Sequence, residues 1–165
     1  MKVAIISDIH DHRTNFGILL DLLQKMKLDY LILLWDYWAP GTIIKNLLRL
    51  WIPTYAIRWN NDGEIYKTMQ MFFEHKDHAY IARRSYDRLE LDTKKIFLTH
   101  YHDLALPMAS TWLYDAVFFG HNHTASQQMV WTCLLANPGA VLWDKTPASF
   151  AVRDTQTNIF DIILL

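Results

Sequence analysis

The chain has 165 residues, 52% of them hydrophobic and 20% charged, which describes a folded globular protein rather than a disordered one. A formal net charge of -1 offers no broad basic face for nucleic acid and no acidic tail for a cationic partner. The single cysteine, Cys133, excludes an intrachain disulfide and fits a reducing, cytoplasmic setting, and no run approaches the roughly 18 apolar residues of a membrane span. Such a length is most simply one domain, residues 1–165.

In chain order, Val3 to Ile6 reads as a strand buried on both faces. The run is too short, and Asp8 follows too soon, for a signal peptide. Thr14 can cap a helix carrying Phe16, Leu19, Leu20, Leu23 and Met26. Tyr30 to Leu34 is a second strand. Ile43, Ile44, Leu47, Leu48 and Trp51 predict a helix stopped by Pro53, and Thr54 to Ile57 a third strand. This alternation implies a parallel sheet with functional loops at the carboxyl ends of its strands. Glu64 to Glu74 predicts a helix, and Tyr86 to Leu91 with Lys95 to Leu98 a hairpin turning at Asp92 to Lys94. A helix from Leu104 to Trp112 and a strand from Ala116 to Phe119 follow. Further strands are expected around Gln128 to Leu135, Ser149 to Asp154 and Ile159 to Leu164. The fold expected is α/β, a four-layer α/β/β/α sandwich of two mixed sheets flanked by helices.

Polar residues collect where those strands end. The first leads to Asp8 and His10, the second to Asp36, the third to Asn60, Asn61 and Asp62. Later ones lead to His100 and His102, and to Gly120, His121, Asn122 and His123. In extended backbone, residues two apart share a side, so Asp8 with His10 and His121 with His123 form two-pronged donors. Asp and Asn after a strand are ordinary turn formers, and one histidine there is more often a surface residue than a ligand. Five such sites together are another matter, since imidazole mixed with carboxylate suits divalent transition metals. His75 and His78, in the polar stretch EHKDH, are expected at a solvated helix end and loop. Cys133 belongs in a core strand.

Asp8-x-His10, Asp36, Asn60-Asn61-Asp62, His100 and Gly120-His121-x-His123, in this order, resemble the calcineurin-like metallophosphoesterase superfamily. Within it the compact bacterial and archaeal phosphodiesterases of the YfcE-like type are nearest. The likeness takes in IISDIHDH, NNDGE, FFGHNHT, NPGA and KTPASFAV. It implies the same sandwich and a two-metal centre. One ion would lie among Asp8, His10, Asp36 and His123, the other among Asp36, Asn60, His100 and His121, with Asp36 shared. Catalysis would then rest on Asp8, His10, Asp36, Asn60 and His100. The resemblance implies Mn²⁺, with Ni, Zn, Fe or Co as alternatives for such N/O ligands. It further implies that a hydroxide held between ions about 3.5 to 4 Å apart attacks phosphorus in line. The expected substrate is a small phosphate ester or nucleotide, with no membrane partner. A homodimer would be unsurprising. The rival expectation is a protein-interaction scaffold, the use made of this fold in the small metallophosphoesterase-like subunit of the retromer coat, for which surface Trp and Tyr are suited.

The sequence departs from the family pattern in one direction. Trp35, Trp59 and Tyr101 stand where the family writes glycine beside its motifs, and Trp51, Trp112, Trp131 and Trp143 fall where relatives commonly carry glycine. Glycine matters where φ is positive or backbone must approach closely. An indole at 35 or 59 is therefore expected either to strain its loop or to lie over the metals. For Trp51, Trp112 and Trp131 the alternative is plain packing in apolar surroundings. A deliberate introduction of the rings into an ordinary family member is a further reading. Many relatives also carry His directly after the motif Asn, where this chain has Asn61, which favours esters with good leaving groups. His12 or His102 is the stand-in acid to consider.

Overall fold

The computed structural model describes residues 1–36, 40–58, 64–142 and 146–165. Strand β1 (Lys2–Ile6) sends alternate side chains to opposite faces, Val3 and Ile5 into one core and Ala4 and Ile6 into another. It pairs in parallel with β2 (Tyr30–Leu33), which pairs in parallel with β3 (Thr54–Ala56). The connections are α1 (Arg13–Lys25) and α2 (Pro40–Leu48), the latter opening on Pro40, whose missing N–H costs nothing in a first turn. After α3 (Ile65–Glu74), β4 (Ala79–Ile81) extends the parallel edge. At the other edge β10 (Ser149–Asp154) and β11 (Phe160–Leu164) run antiparallel, giving the order β11-β10-β1-β2-β3-β4.

The second sheet is also mixed, in the order β5 (Tyr86–Leu91), β6 (Lys94–Thr99), β7 (Ala116–Phe118), β9 (Cys133–Asn137) and β8 (Ser126–Val130). The hairpin of β5 (Tyr86–Leu91) and β6 (Lys94–Thr99) turns through Asp92 and Thr93, both at positive φ, the backbone that a right-twisted two-residue hairpin demands. Helix α4 (His102–Ala109) leads to β7 (Ala116–Phe118), and the hairpin of β8 (Ser126–Val130) and β9 (Cys133–Asn137) completes the sheet.

Three apolar clusters make this the four-layer sandwich expected. Phe16, Leu19, Leu23, Ile44 and Phe72 from α1, α2 and α3 cover one face of the first sheet. Ile5, Ile32, Ile57, Leu98 and Phe118 fill the space between the sheets. Ala105 and Ala109 of α4 pack on Phe97, Val117 and Leu135. Each fully buried large aliphatic side chain contributes about 1.5–3 kcal/mol, so the two-faced strands carry much of the stability.

Several boundaries differ from expectation. His12, not Thr14, caps α1, its Nδ1 accepting the Asn15 N–H at 3.3 Å. The polar stretch after α3 hid β4. His78 is half-buried and its Nε2 donates to the Leu48 carbonyl at 3.0 Å, fastening the end of α2 rather than facing solvent. Helix α2 stops at Leu48 short of Trp51, α4 stops at Ala109 short of Trp112, and the expected strand through 128–135 is a hairpin that turns at Trp131. All three misplaced ends lie beside tryptophans.

One buried charge is thinly matched. Arg153 of β10 is almost fully buried, with Nη2 donating to Asn158 Oδ1 at 3.3 Å while Nε and Nη1 have no hydrogen-bond partner. Its guanidinium lies 5.7 Å from the centre of the Phe118 ring, and burial lowers its pKa. Replacing such a charge by an apolar side chain of similar length often stabilises. Arg153→Met is expected to raise the unfolding free energy by about 1 kcal/mol, read as a higher urea midpoint at unchanged m-value. A lower midpoint would show that the charge is well solvated in the fold.

Candidate metal centre

Strands β1, β2, β6 and β7 all deliver their carboxyl ends to one place. The loops are laced there by backbone hydrogen bonds: Asp8 N to Trp35 O at 2.8 Å, His10 N to Asp36 O at 3.2 Å, and Gly120 N to His100 O at 3.2 Å. Leu142 N donates to Asp8 O at 3.1 Å, bringing in the loop that precedes β10.

Asp8 is at the centre and fully buried. Its Oδ2 accepts from Ser7 Oγ at 2.6 Å and from the backbone N–H of His121 at 3.0 Å. Its Oδ1 has no hydrogen-bond partner. Around Oδ1 stand three imidazole nitrogens: His123 Nε2 at 3.5 Å, His100 Nε2 at 3.7 Å and His10 Nε2 at 3.8 Å. His10 Nε2 is 3.1 Å from His123 Nε2 and 3.5 Å from Asp36 Oδ2. Among the described residues two donor groups result, Asp8 with His10 and His123, and Asp8 with Asp36 and His100. The buried carboxylate oxygen left without a proton donor, facing several imidazoles, is the donor set a divalent cation requires, so the residues present fit a metal.

Charge distribution agrees with that fit. Burial alone would push the Asp8 carboxyl up, but the imidazoles of His10 and His123 and the Ser7 hydroxyl outweigh it and hold Asp8 well below the usual carboxylate range. Burial pushes His100 down and keeps its ring neutral. His100 Nδ1 donates to the Leu34 carbonyl at 2.9 Å, so the proton resides there and the Nε2 lone pair is directed at the Asp8 side.

The expected pairs converge, but not through extended backbone. Asp8 and His10 have φ of 53° and 44°, Asp36 83°, and His121 and His123 71° and 59°. Left-handed backbone re-aims these side chains, and its concentration here is typical of sites where geometry is held against local preference. His121 is exposed, with its ring 5.2 Å from that of His100 and 5.7 Å from that of Tyr101. Asn60, with Trp59, Asn61 and Asp62, lies outside the described residues, as does Trp143. His102 is half-exposed against Phe119, and His12 is committed to capping α1.

The family-glycine positions divide by conformation. Tyr101 has φ of -92°, which any residue adopts, and its ring packs against His100. Trp35 has φ of 80°, and its indole is fully buried in the core under the first sheet rather than lying over the donor cluster.

Two residues outside the expected donor set shape the site. Ser7 fixes which oxygen of Asp8 faces the imidazoles. Gly120 lets the two sheets approach: a Cβ there would collide with Ser7 Oγ and come 2.7 Å from Asp8 Oδ2. Its place directly before His121, at a strand end, was the available signal. Gly120→Ala is expected to destabilise by about 1–3 kcal/mol and to disturb the Asp8 carboxylate. The checks are thermal midpoint and metal content after purification, and an unchanged midpoint would mean that the Ser7 loop yields easily.

The chain matches the family model described as the calcineurin-like phosphoesterase superfamily domain over residues 1–158. It is 32% identical over 143 residues to the phosphodiesterase MJ0936 of Methanocaldococcus jannaschii, covering 84% of this chain and 83% of that one. Among solved structures, an archaeal phosphodiesterase superposes with a TM-score of 0.89 at 28% identity, with 100% of both chains covered. YfcE, a phosphoesterase from E. coli, superposes with a TM-score of 0.71 at 20% identity over 99% of each chain, a likeness of fold. Among the described residues no helix is long and apolar enough to cross a membrane.

Proposed function

Since this chain belongs to the calcineurin-like phosphoesterase superfamily, we propose that it is a metal-dependent phosphodiesterase of small phosphate esters, acting in the cytoplasm as one domain with two divalent ions. The observation that carries the reading is the buried Asp8 Oδ1, without a hydrogen-bond partner and faced by three imidazole nitrogens. Asp8, His10 and His123 would hold one ion together with Asp36. Asp36, His100 and His121 would hold the other, with Asn60 completing the set. Asp8 belongs to both donor groups, while Asp36 groups with His100 and has its Oδ2 3.5 Å from His10 Nε2, which supports a shared role for each carboxylate.

Divalent ions bound there supply Lewis acidity, making water a nucleophile near neutral pH and offsetting charge on phosphate oxygens. The protein's part is orientation. Ser7 and the His121 amide engage Asp8 Oδ2 and so aim Oδ1 inward. Leu34 O sets the His100 tautomer, and the left-handed turns at Asp36 and His123 bring donors from two sheets within reach. With His12 spent on a helix cap, leaving-group protonation is weakly provided, which favours esters whose leaving groups depart as anions.

The test is metal analysis joined to a substrate panel. Protein loaded with Mn²⁺, or with Ni, Zn, Fe or Co, is expected to hold two ions and to hydrolyse activated aryl phosphodiesters faster than monoesters. Both sites filled with no hydrolysis of any ester would sink the proposal.

A further inference from the structure

Every tryptophan among the described residues has left-handed backbone: φ is 80° at Trp35, 55° at Trp51, 62° at Trp112 and 56° at Trp131. A Cβ disfavours that conformation by roughly five- to thirty-fold, and bulky side chains tolerate it least. The other described residues at positive φ are Asp, Asn or His, plus Thr93 in a hairpin turn and Gly139. Asp, Asn and His are the side-chain types that adopt it most readily. Tryptophan does not belong in that company.

Each position has its own local demand for glycine. Trp51 is three residues past the end of α2 and Trp112 three past the end of α4, each the left-handed residue at which the chain leaves the turn that closes the helix, a conformation usually supplied by glycine. Trp131 is the first of two loop residues between Val130 and Cys133, the place where a tight hairpin takes glycine. The exposed rings do not repay the conformation. Trp51, Trp112 and Trp131 are 70%, 64% and 68% exposed, the first stacked on His78 and the other two on each other. Composition agrees: 5 glycines in 165 residues is under half the ordinary usage of about 7%, and moving the 7 tryptophans across restores it. Tyr101, the family-glycine position filled by another residue, has ordinary backbone, so the anomaly follows tryptophan and not the motif.

We infer that Trp35, Trp51, Trp112 and Trp131 are glycine positions, and that the chain made in its own cell carries glycine there, encoded by UGA. Some bacterial lineages read UGA as glycine and others read it as tryptophan. One codon assignment therefore changes all such positions together and leaves every glycine spelled by its usual codons untouched. Four separate substitutions, each landing on left-handed backbone, would need four causes. At position 35 glycine gives the turn into Asp36 its 83° successor without a side chain to accommodate. At 112 and 131 glycine removes the two exposed, stacked indoles that a scaffold role would use.

Two measurements decide it. The gene is expected to spell these four codons UGA, and peptides of the protein isolated from its native source are expected to carry glycine at each. UGG codons, or native peptides bearing tryptophan, overturn the inference. Independently, Trp51→Gly, Trp112→Gly and Trp131→Gly made singly in the tryptophan-bearing chain are expected to favour folding at least fivefold over the matching Trp→Ala variants, because only glycine relieves the backbone. Equal stability of the alanine and glycine variants would remove the conformational premise and the inference with it. Position 35 is left out of that comparison because its buried ring also fills core.

Discussion

Asp8→Asn is expected to reduce phosphodiester hydrolysis on the order of 10³-fold while leaving the fold intact. The substitution keeps the shape of the side chain, and an amide oxygen can still accept from Ser7 Oγ and the His121 amide. It removes the negative charge from the oxygen that faces His10, His100 and His123. Asp8 is common to both donor groups, so metal held at either should be weakened, and bound metal is expected to fall at the same time as turnover. Circular dichroism and a retained cooperative transition would separate this from misfolding. Full activity with full metal occupancy in Asp8→Asn would rule Asp8 out as a ligand.

Removing metal is expected to lower stability and to make it strongly acid-dependent. An ion present at about 100 times its dissociation constant adds roughly 2.7 kcal/mol to the folded state, so chelation should lower the thermal midpoint by several degrees. In the metal-free chain, burial depresses the His100 pKa, so the unfolded state takes up a proton first. That contribution is complete above the ordinary histidine pKa near 6.5 and is lost as pH falls below it. Asp8 has the same sign at lower pH, its contribution being present above 3.8 and lost as pH falls toward its depressed folded value. The midpoint of the chelated protein is expected to be level above pH 7, to fall as pH drops below about 6.5, and to fall again below about 4. A midpoint that rose on mild acidification would mean that His100 is held protonated in the fold.

Most of this architecture is legible in the sequence. Runs such as Val3 to Ile6 and Tyr30 to Leu33 announce strands, and the polar residues just beyond them announce the edge where those strands end. What was not legible has particular physical causes. Strand β4 is three residues long, with Tyr80 exposed between Ala79 and Ile81, too brief for periodicity to register. Extended geometry predicts the pairing of Asp8 with His10, whereas the chain reaches it by left-handed turns, a conformation that Asp and His tolerate without announcing it. The ends of α2 and α4 and the β8–β9 turn were overrun because a large apolar residue stands where a turn signal would ordinarily be. An indole extends a hydrophobic period; a glycine interrupts one.

The hydrogen bond from His100 to the Leu34 carbonyl joins the tail of β6 to the tail of β2, one from each sheet. The His121 amide on Asp8 makes a second such tie, since His121 follows β7 and Asp8 follows β1. The donor cluster is thus a clasp across the open end of the sandwich, and it closes only when both halves are aligned. Ligand geometry and sheet-to-sheet alignment are therefore one mechanical quantity. A methyl group trimmed from the core between the sheets, at Ile5 or Leu98, is therefore expected to act on the clasp by shifting one sheet against the other.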